Sequence, residues 1–165
     1  MKKSICLLLC CFLLGSVFAQ NQEQPPYLKN PVLPDFKILQ KDSSTWFSKK
    51  DLKPGKPVMI MLFSPDCDHC QQQTKMILER IKDLGDLQIV MTTFQPMEKM
   101  RKFYTEYAIA KYPTIRMGRD VSYFFGGFYK GRSIPYLAIY DRNQKLAKIY
   151  DGGATIDKLL EAIRL

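Results

Sequence analysis

Six apolar residues in a row, Val58 to Phe63, stand between Pro57 and the breaker Ser64-Pro65, after which the periodicity turns from strand-like to helix-like. A run this short, bounded by proline on both sides, predicts a central strand covered on both faces. From Gln71 to Leu84 the apolar residues Met76, Ile77, Ile81 and Leu84 recur at helical spacing, so a helix follows. Cys67-Asp68-His69-Cys70 lies at the junction and puts the first cysteine at the helix N-terminus. Two thiols separated by two residues at such a turn can close a small disulfide ring and reopen it by exchange, which predicts redox chemistry.

The chain has five cysteines in 165 residues, and the other three, Cys6, Cys10 and Cys11, lie in a segment that reads as a signal peptide. Lys2 and Lys3 precede an apolar run from Ile5 to Leu14, and Val17-Phe18-Ala19 has the small-residue spacing of a cleavage site, predicted after Ala19. The run is too short for an ordinary membrane span, which weighs against a retained anchor. Leu7-Leu8-Leu9-Cys10 lacks the small residues that a lipoprotein signal prefers, which weighs against lipidation. A periplasmic or otherwise extracytoplasmic setting is therefore expected, where disulfides persist. The Cys67/Cys70 pair is a poor structural staple, because so small a ring removes little unfolded-state entropy.

About 146 residues remain after cleavage, enough for one domain with a single core. The formal net charge is +9; losing Lys2 and Lys3 leaves about +7. The excess is spread in short groups such as Lys49-Lys50 and Lys99 to Lys102, so a solvated surface is expected. No nucleic-acid motif is present, and an export signal argues against a nucleic-acid partner.

Residues 20–33, rich in Gln, Asn and Pro, read as a flexible N-terminal arm, and residues 34–165 as the folded domain. Phe36, Ile38 and Trp46-Phe47 around the polar turn Lys41 to Ser44 predict a hairpin. Leu87 to Thr93 predicts a further strand, and Met97 to Ala110 a helix whose Met100, Phe103, Tyr104 and Tyr107 pack in the core. Val121 to Tyr129 reads as a short helix and loop. Tyr136 to Tyr140 and Lys145 to Tyr150 flank the turn Asp141 to Gln144 as a second hairpin, and Thr155 caps a last helix with Ile156, Leu159, Leu160 and Ile163 on one face. The order is β(hairpin)-β-α-β-α-β-β-α, an α/β architecture with a mixed sheet.

From about Leu33 to its end the chain resembles exported thioredoxin-like proteins of the TlpA/ResA kind, within the wider AhpC/TSA-related group. The resemblance rests on Pro34-Asp35-Phe36, Gly55-Lys56-Pro57-Val58, Phe63 to Cys70, and Ile134-Pro135 in the place of the cis-proline loop. It implies a thioredoxin-like fold: a central mixed sheet flanked by helices, an N-terminal β-hairpin extension, and a helical insertion, Met97 to Tyr129, before the cis-proline loop. Three positions depart from the family pattern. Asp66 replaces the usual tryptophan, Met61 stands where thioredoxin has a buried acid, and Asp68-His69 lacks the usual motif proline, its histidine placed as in Dsb-type oxidases.

Within this reading Cys67 is the nucleophile, its thiolate favoured by the helix N-terminus, and Cys70 the resolving thiol. His69 tunes the thiolate favourably when protonated, whereas Asp66 and Asp68 oppose it. A cis peptide at Ile134-Pro135 exposes a backbone edge on which an extended substrate can dock. The expected partners are thiol- or disulfide-containing exported proteins and a redox partner such as a membrane electron donor. No cofactor and no metal are expected. The resemblance favours a reductase over a disulfide-donating oxidase. A copper-handling module is the alternative, since Cys67, His69 and Cys70 are soft ligands, but no distant ligand closes such a site. Peroxidase activity is disfavoured because Ser64-Pro65-Asp66 occupies the approach where that family places a threonine.

Overall fold

The computed structural model describes residues 24–164, and the predicted signal peptide lies outside them. Alternation along the strands organises the molecule. In β3 (Val58–Leu62), Met59 and Met61 point to one face of the sheet while Val58 and Ile60 point to the other, and all four are buried. The neighbours β4 (Gln88–Thr93) and β6 (Tyr136–Tyr140) divide their side chains in the same way. A strand buried on both faces needs cover on both, and two apolar clusters provide it.

The first cluster joins Met59, Met61, Ile89, Met91, Leu137 and Ile139 to three helices: α2 (Asp68–Glu79), α3 (Met97–Glu106) and α5 (Ile156–Ile163). The aromatic stripe of α3 is core, as its spacing indicates, with Met100 and Phe103 buried. Thr155 caps α5 by accepting the Lys158 amide at 3.4 Å. The second cluster packs Val58, Ile60, Val90, Tyr136, Ala138 and Tyr140 against the hairpin β1 (Lys37–Leu39) and β2 (Trp46–Ser48) and against α4 (Phe124–Tyr129).

The seven strands lie in the order β2-β1-β5-β4-β3-β6-β7, where β5 is Ile115–Arg119 and β7 is Leu146–Asp151. The central pairs β3/β4 and β4/β5 are parallel; β3/β6, β6/β7, β1/β2 and β1/β5 are antiparallel. The sheet is thus mixed, with the expected N-terminal hairpin at one edge. Among the described residues no helix is long and apolar enough to cross a membrane.

Two expectations need correction. The stretch between Met97 and Tyr129 is not helical throughout, since β5 interrupts it and extends the parallel part of the sheet. Its sequence Ile-Arg-Met-Gly-Arg hides the strand: only Ile115 and Met117 face the core, Arg116 lies over the Phe47 ring, and Gly118 is pressed by Ile38. A Cβ at Gly118 would come within 2.8–2.9 Å of three Ile38 atoms, so glycine lets the hairpin close on the sheet here. The second correction concerns the arm. From residue 24 on it is ordered, with α1 (Pro26–Lys29) placing the Tyr27 ring 5.8 Å from that of Tyr129. Val32 bridges to Lys145, and Leu33 is completely buried. Composition gave the segment no apolar periodicity, but a single well-placed leucine and three backbone bonds to Gln144, Leu146 and the Lys49 ammonium anchor it.

Candidate active site

The end of β3 delivers the chain into a tight turn, in which the Cys67 amide donates to the Ser64 carbonyl at 3.2 Å. Gln71 reaches back from α2 and donates its side-chain amide to the Pro65 carbonyl at 2.9 Å, tying the turn to the helix it feeds. Cys67 is the N-cap of α2: its backbone is extended and its Sγ accepts the Cys70 amide at 3.3 Å. Sulfur here occupies the place that serine or aspartate oxygen takes at other helix starts, facing the positive end of the helix. Cys67 is partly exposed and Cys70 wholly buried, and both are free thiols.

Burial pushes the Cys70 thiol up to about 12, with its contact to the Cys67 sulfur acting in the same direction and a backbone hydrogen bond from the Ser64 region opposing. It belongs to the same buried apolar cluster as Met59, Met61, Phe63 and Ile77, where Met61 is a thioether and not an acid. A thiol with a raised pKa keeps its proton through the range where a free thiol, at about 8.5, has lost it. Alkylation of the reduced protein at pH 7 should therefore modify Cys67 alone, and Cys70 should react only as the pH climbs towards 12 or once the chain unfolds. Peptide mapping by mass spectrometry reads the two sites separately, and equal labelling at pH 7 would contradict this division.

The Ile134–Pro135 peptide bond is cis. Its loop lies against the cysteines, with the Ile134 carbonyl 3.9 Å from Cys67 Sγ and the Ile134 side chain 39% exposed. Asp151, at the end of β7, holds the loop by accepting the amides of Arg132 at 3.2 Å and Ser133 at 2.7 Å, and the Gly152 amide donates to the Pro135 carbonyl at 3.1 Å. On the other side Gln73, buried on α2 one turn after Cys70, accepts the Ala154 amide at 2.8 Å. Gly153, at φ +97°, fits between them, since a Cβ there would lie 2.8 Å from the Gln73 carbonyl oxygen and 3.2 Å from the Pro135 ring. Helix α2 and the cis-proline loop are thereby fixed to the same short connection.

The remaining residues singled out in the sequence divide by environment. Asp66 pairs with Lys99 of α3 at 2.5 Å, with both side chains about half exposed, so its charge beside Cys67 is balanced from another element. An exposed pair of this kind adds little stability but fixes a local charge. Asp68 and His69 are exposed on the first turn of α2. Lys99, Gln73 and Asp151 were not legible as site residues. Each acts on a partner from 18 to 81 positions away in the chain, and no local pattern marks such pairs.

The AhpC/TSA family matches residues 30–158. No curated protein matches the sequence. Among solved structures the chain is similar to an exposed lipoprotein thioredoxin of Streptococcus pneumoniae, with 23% identity and a TM-score of 0.62 over 79% of this chain and 98% of that one. It is similar to a secreted Mycobacterium tuberculosis disulfide oxidoreductase homologous to E. coli DsbE, with 15% identity and a TM-score of 0.64 over 78% and 94% of the two chains. A thioredoxin-like protein from Aeropyrum pernix shares 15% identity and a TM-score of 0.65 over 79% and 88%. At these identities the likeness concerns the fold, which is thioredoxin-like.

Proposed function

Because the chain belongs to the AhpC/TSA family, we propose that it works as a thiol-disulfide oxidoreductase of the TlpA/ResA kind, acting on exported proteins outside the cytoplasm. The observation that carries this reading is the contrast between the two sulfurs: one partly exposed at a helix N-terminus beside the cis-proline loop, the other buried, with its amide donating to the first. The Cys67 thiolate attacks one sulfur of a client disulfide, forming a Cys67–client bond and expelling the other client sulfur, which takes up a proton. Cys70 gives up its proton and attacks Cys67 Sγ, closing the Cys67–Cys70 disulfide and freeing the second client thiol. The client gains two electrons and two protons; the protein supplies both electrons and the Cys70 proton, and the second proton is the one that Cys67 released to solvent on becoming a thiolate.

Reduction is the favoured direction. A strong oxidant of this fold needs a stabilised reduced form, whereas here Asp68 places an acidic group beside Cys67 while the Asp66 charge is paired with Lys99. An exported setting is supported by the N-terminal sequence and by similar structures described as secreted or as an exposed lipoprotein. Equilibrating the Cys67/Cys70 couple with glutathione buffers should return a potential below about −200 mV, and insulin should be reduced with dithiothreitol as electron source. A value near the −120 mV of strong oxidants would reverse the direction. Peroxide consumption dependent on Cys67, or copper held by Cys67, His69 and Cys70, would replace the reading.

A further inference from the structure

On the side of the cis-proline loop facing α4, at the carboxyl ends of β4 and β5, lies a cavity of about 90 Å³. Its mouth is apolar and displayed. Phe94 is 50% and Tyr123 57% exposed, their rings meeting edge to face at 5.2 Å, and the Ile134 side chain completes the rim. Exposed apolar rings grouped at the mouth of a pocket mark a surface on which a partner docks. Tyr123 holds this position at a structural cost. Its φ of +56° is left-handed backbone that a tyrosine seldom adopts, and its ring lies so close over Gly126 that a Cβ there would come within 2.4 Å.

Thr92, Asp120 and Ser133 add polar residues to the lining. The Thr92 hydroxyl, on a residue 1% exposed, has no hydrogen-bond partner among the described residues, a costly state for a buried group. Asp120 also lines the cavity, but its two carboxylate oxygens already accept the amides of Phe124 at 3.0 Å and Phe125 at 2.9 Å. Its oxygens are thus engaged by the backbone of α4, unlike the Thr92 hydroxyl. An apolar body with a hydrogen-bonding outer end satisfies both the walls and Thr92, whereas a purely apolar one leaves the hydroxyl unpaired.

Resting on the exchange reaction proposed above, we infer that this cavity receives a tyrosine side chain of the client, close in sequence to the client's reacting cysteine. The position suits that role, because Ile134 lines the cavity while its carbonyl lies 3.9 Å from Cys67 Sγ. A client strand lying along the cis-proline loop would thus present its cysteine to Cys67 and a neighbouring side chain to the cavity. The protein would then select clients by a residue other than cysteine.

The test uses full-length Cys70→Ser protein, which holds the mixed disulfide, and short peptides whose single cysteine is capped as a glutathione disulfide. Tyrosine, phenylalanine, alanine or lysine is scanned through the two positions on either side of that cysteine. At one position the tyrosine peptide should be captured about tenfold faster than the phenylalanine peptide, the factor expected for one hydrogen bond. Thr92→Val should bring the tyrosine-to-phenylalanine ratio to about one, and Tyr123→Ala should lower capture of both aromatic peptides towards that of alanine. Each ratio is taken within one variant, so a general loss of activity does not imitate the result. Equal capture of all four peptides, preference for lysine, or a tyrosine preference that survives Thr92→Val would each overturn the inference while leaving exchange intact. Failure to react with every peptide and also with bis(2-hydroxyethyl) disulfide would instead remove the exchange reaction itself, and this inference with it.

Discussion

Cys67→Ser protein is expected to reduce insulin no faster than dithiothreitol alone, a loss on the order of a thousandfold or more, while Cys70→Ser protein accumulates covalent adducts with its clients. The asymmetry follows from position. Cys67 is partly exposed, caps α2 and lies 3.9 Å from the Ile134 carbonyl, so it alone can meet a foreign disulfide. Cys70 is wholly buried, and its amide is 3.3 Å from Cys67 Sγ, so under the proposed exchange its target is the bond that Cys67 makes. Without it the mixed disulfide persists until an outside thiol resolves it. Non-reducing gels of the two variants incubated with exported proteins distinguish the roles. Adducts on Cys67→Ser protein, or none on Cys70→Ser protein, would exchange or abolish them.

The second large effect concerns the strand that carries the site. Phe63→Ala should destabilise the protein by about 3–5 kcal/mol, the cost of emptying a large aromatic site in a packed core. Phe63 is 2% exposed, and its ring packs 4.9 Å from Phe103, which stacks in turn on Tyr107 at 4.2 Å. Its amide also continues the β3/β4 ladder by donating to the Thr92 carbonyl at 3.1 Å. The ring therefore joins α3 to the strand four residues before the reactive sulfur. Urea unfolding followed by circular dichroism measures the change. Phe94→Ala, a half-exposed ring on a neighbouring strand end, serves as the contrast and should stay within about 0.5 kcal/mol. Similar losses at both positions would mean that the core does not reach the turn.

Much of the molecule was legible because burial imposes a period. The uninterrupted runs Val58 to Phe63 and Tyr136 to Tyr140 became the central strands β3 and β6, since a strand covered on both faces has no reason to alternate. The cysteine spacing placed Cys67 at a helix start, and Ile134-Pro135 before a hairpin marked the loop that meets it. The strand β5 escaped notice for the opposite reason. At the junction with the hairpin its core-facing residues are only Ile115 and Met117, and the positions between and after them, Arg116, Gly118 and Arg119, read as polar or as a breaker. The ordered arm escaped because Leu33 and the backbone bonds near it, not a periodic face, hold it down.

The sequence by itself determined a local arrangement suited to thiol chemistry: two thiols at a strand-to-helix turn and an apolar strand to support them, patterns dictated by backbone periodicity and side-chain type. The loop at Ile134-Pro135, 67 positions from Cys67, was legible only through the family resemblance. Tertiary structure alone decided how that chemistry is tuned. The Lys99 charge beside Asp66, the Gln73 and Asp151 bonds that fix the proline loop, and the unpartnered Thr92 hydroxyl under exposed Phe94 and Tyr123 all join residues far apart in the chain. Such pairings depend on sheet order and helix placement. Those are set by the packing of two whole clusters, a property that no short window of sequence contains.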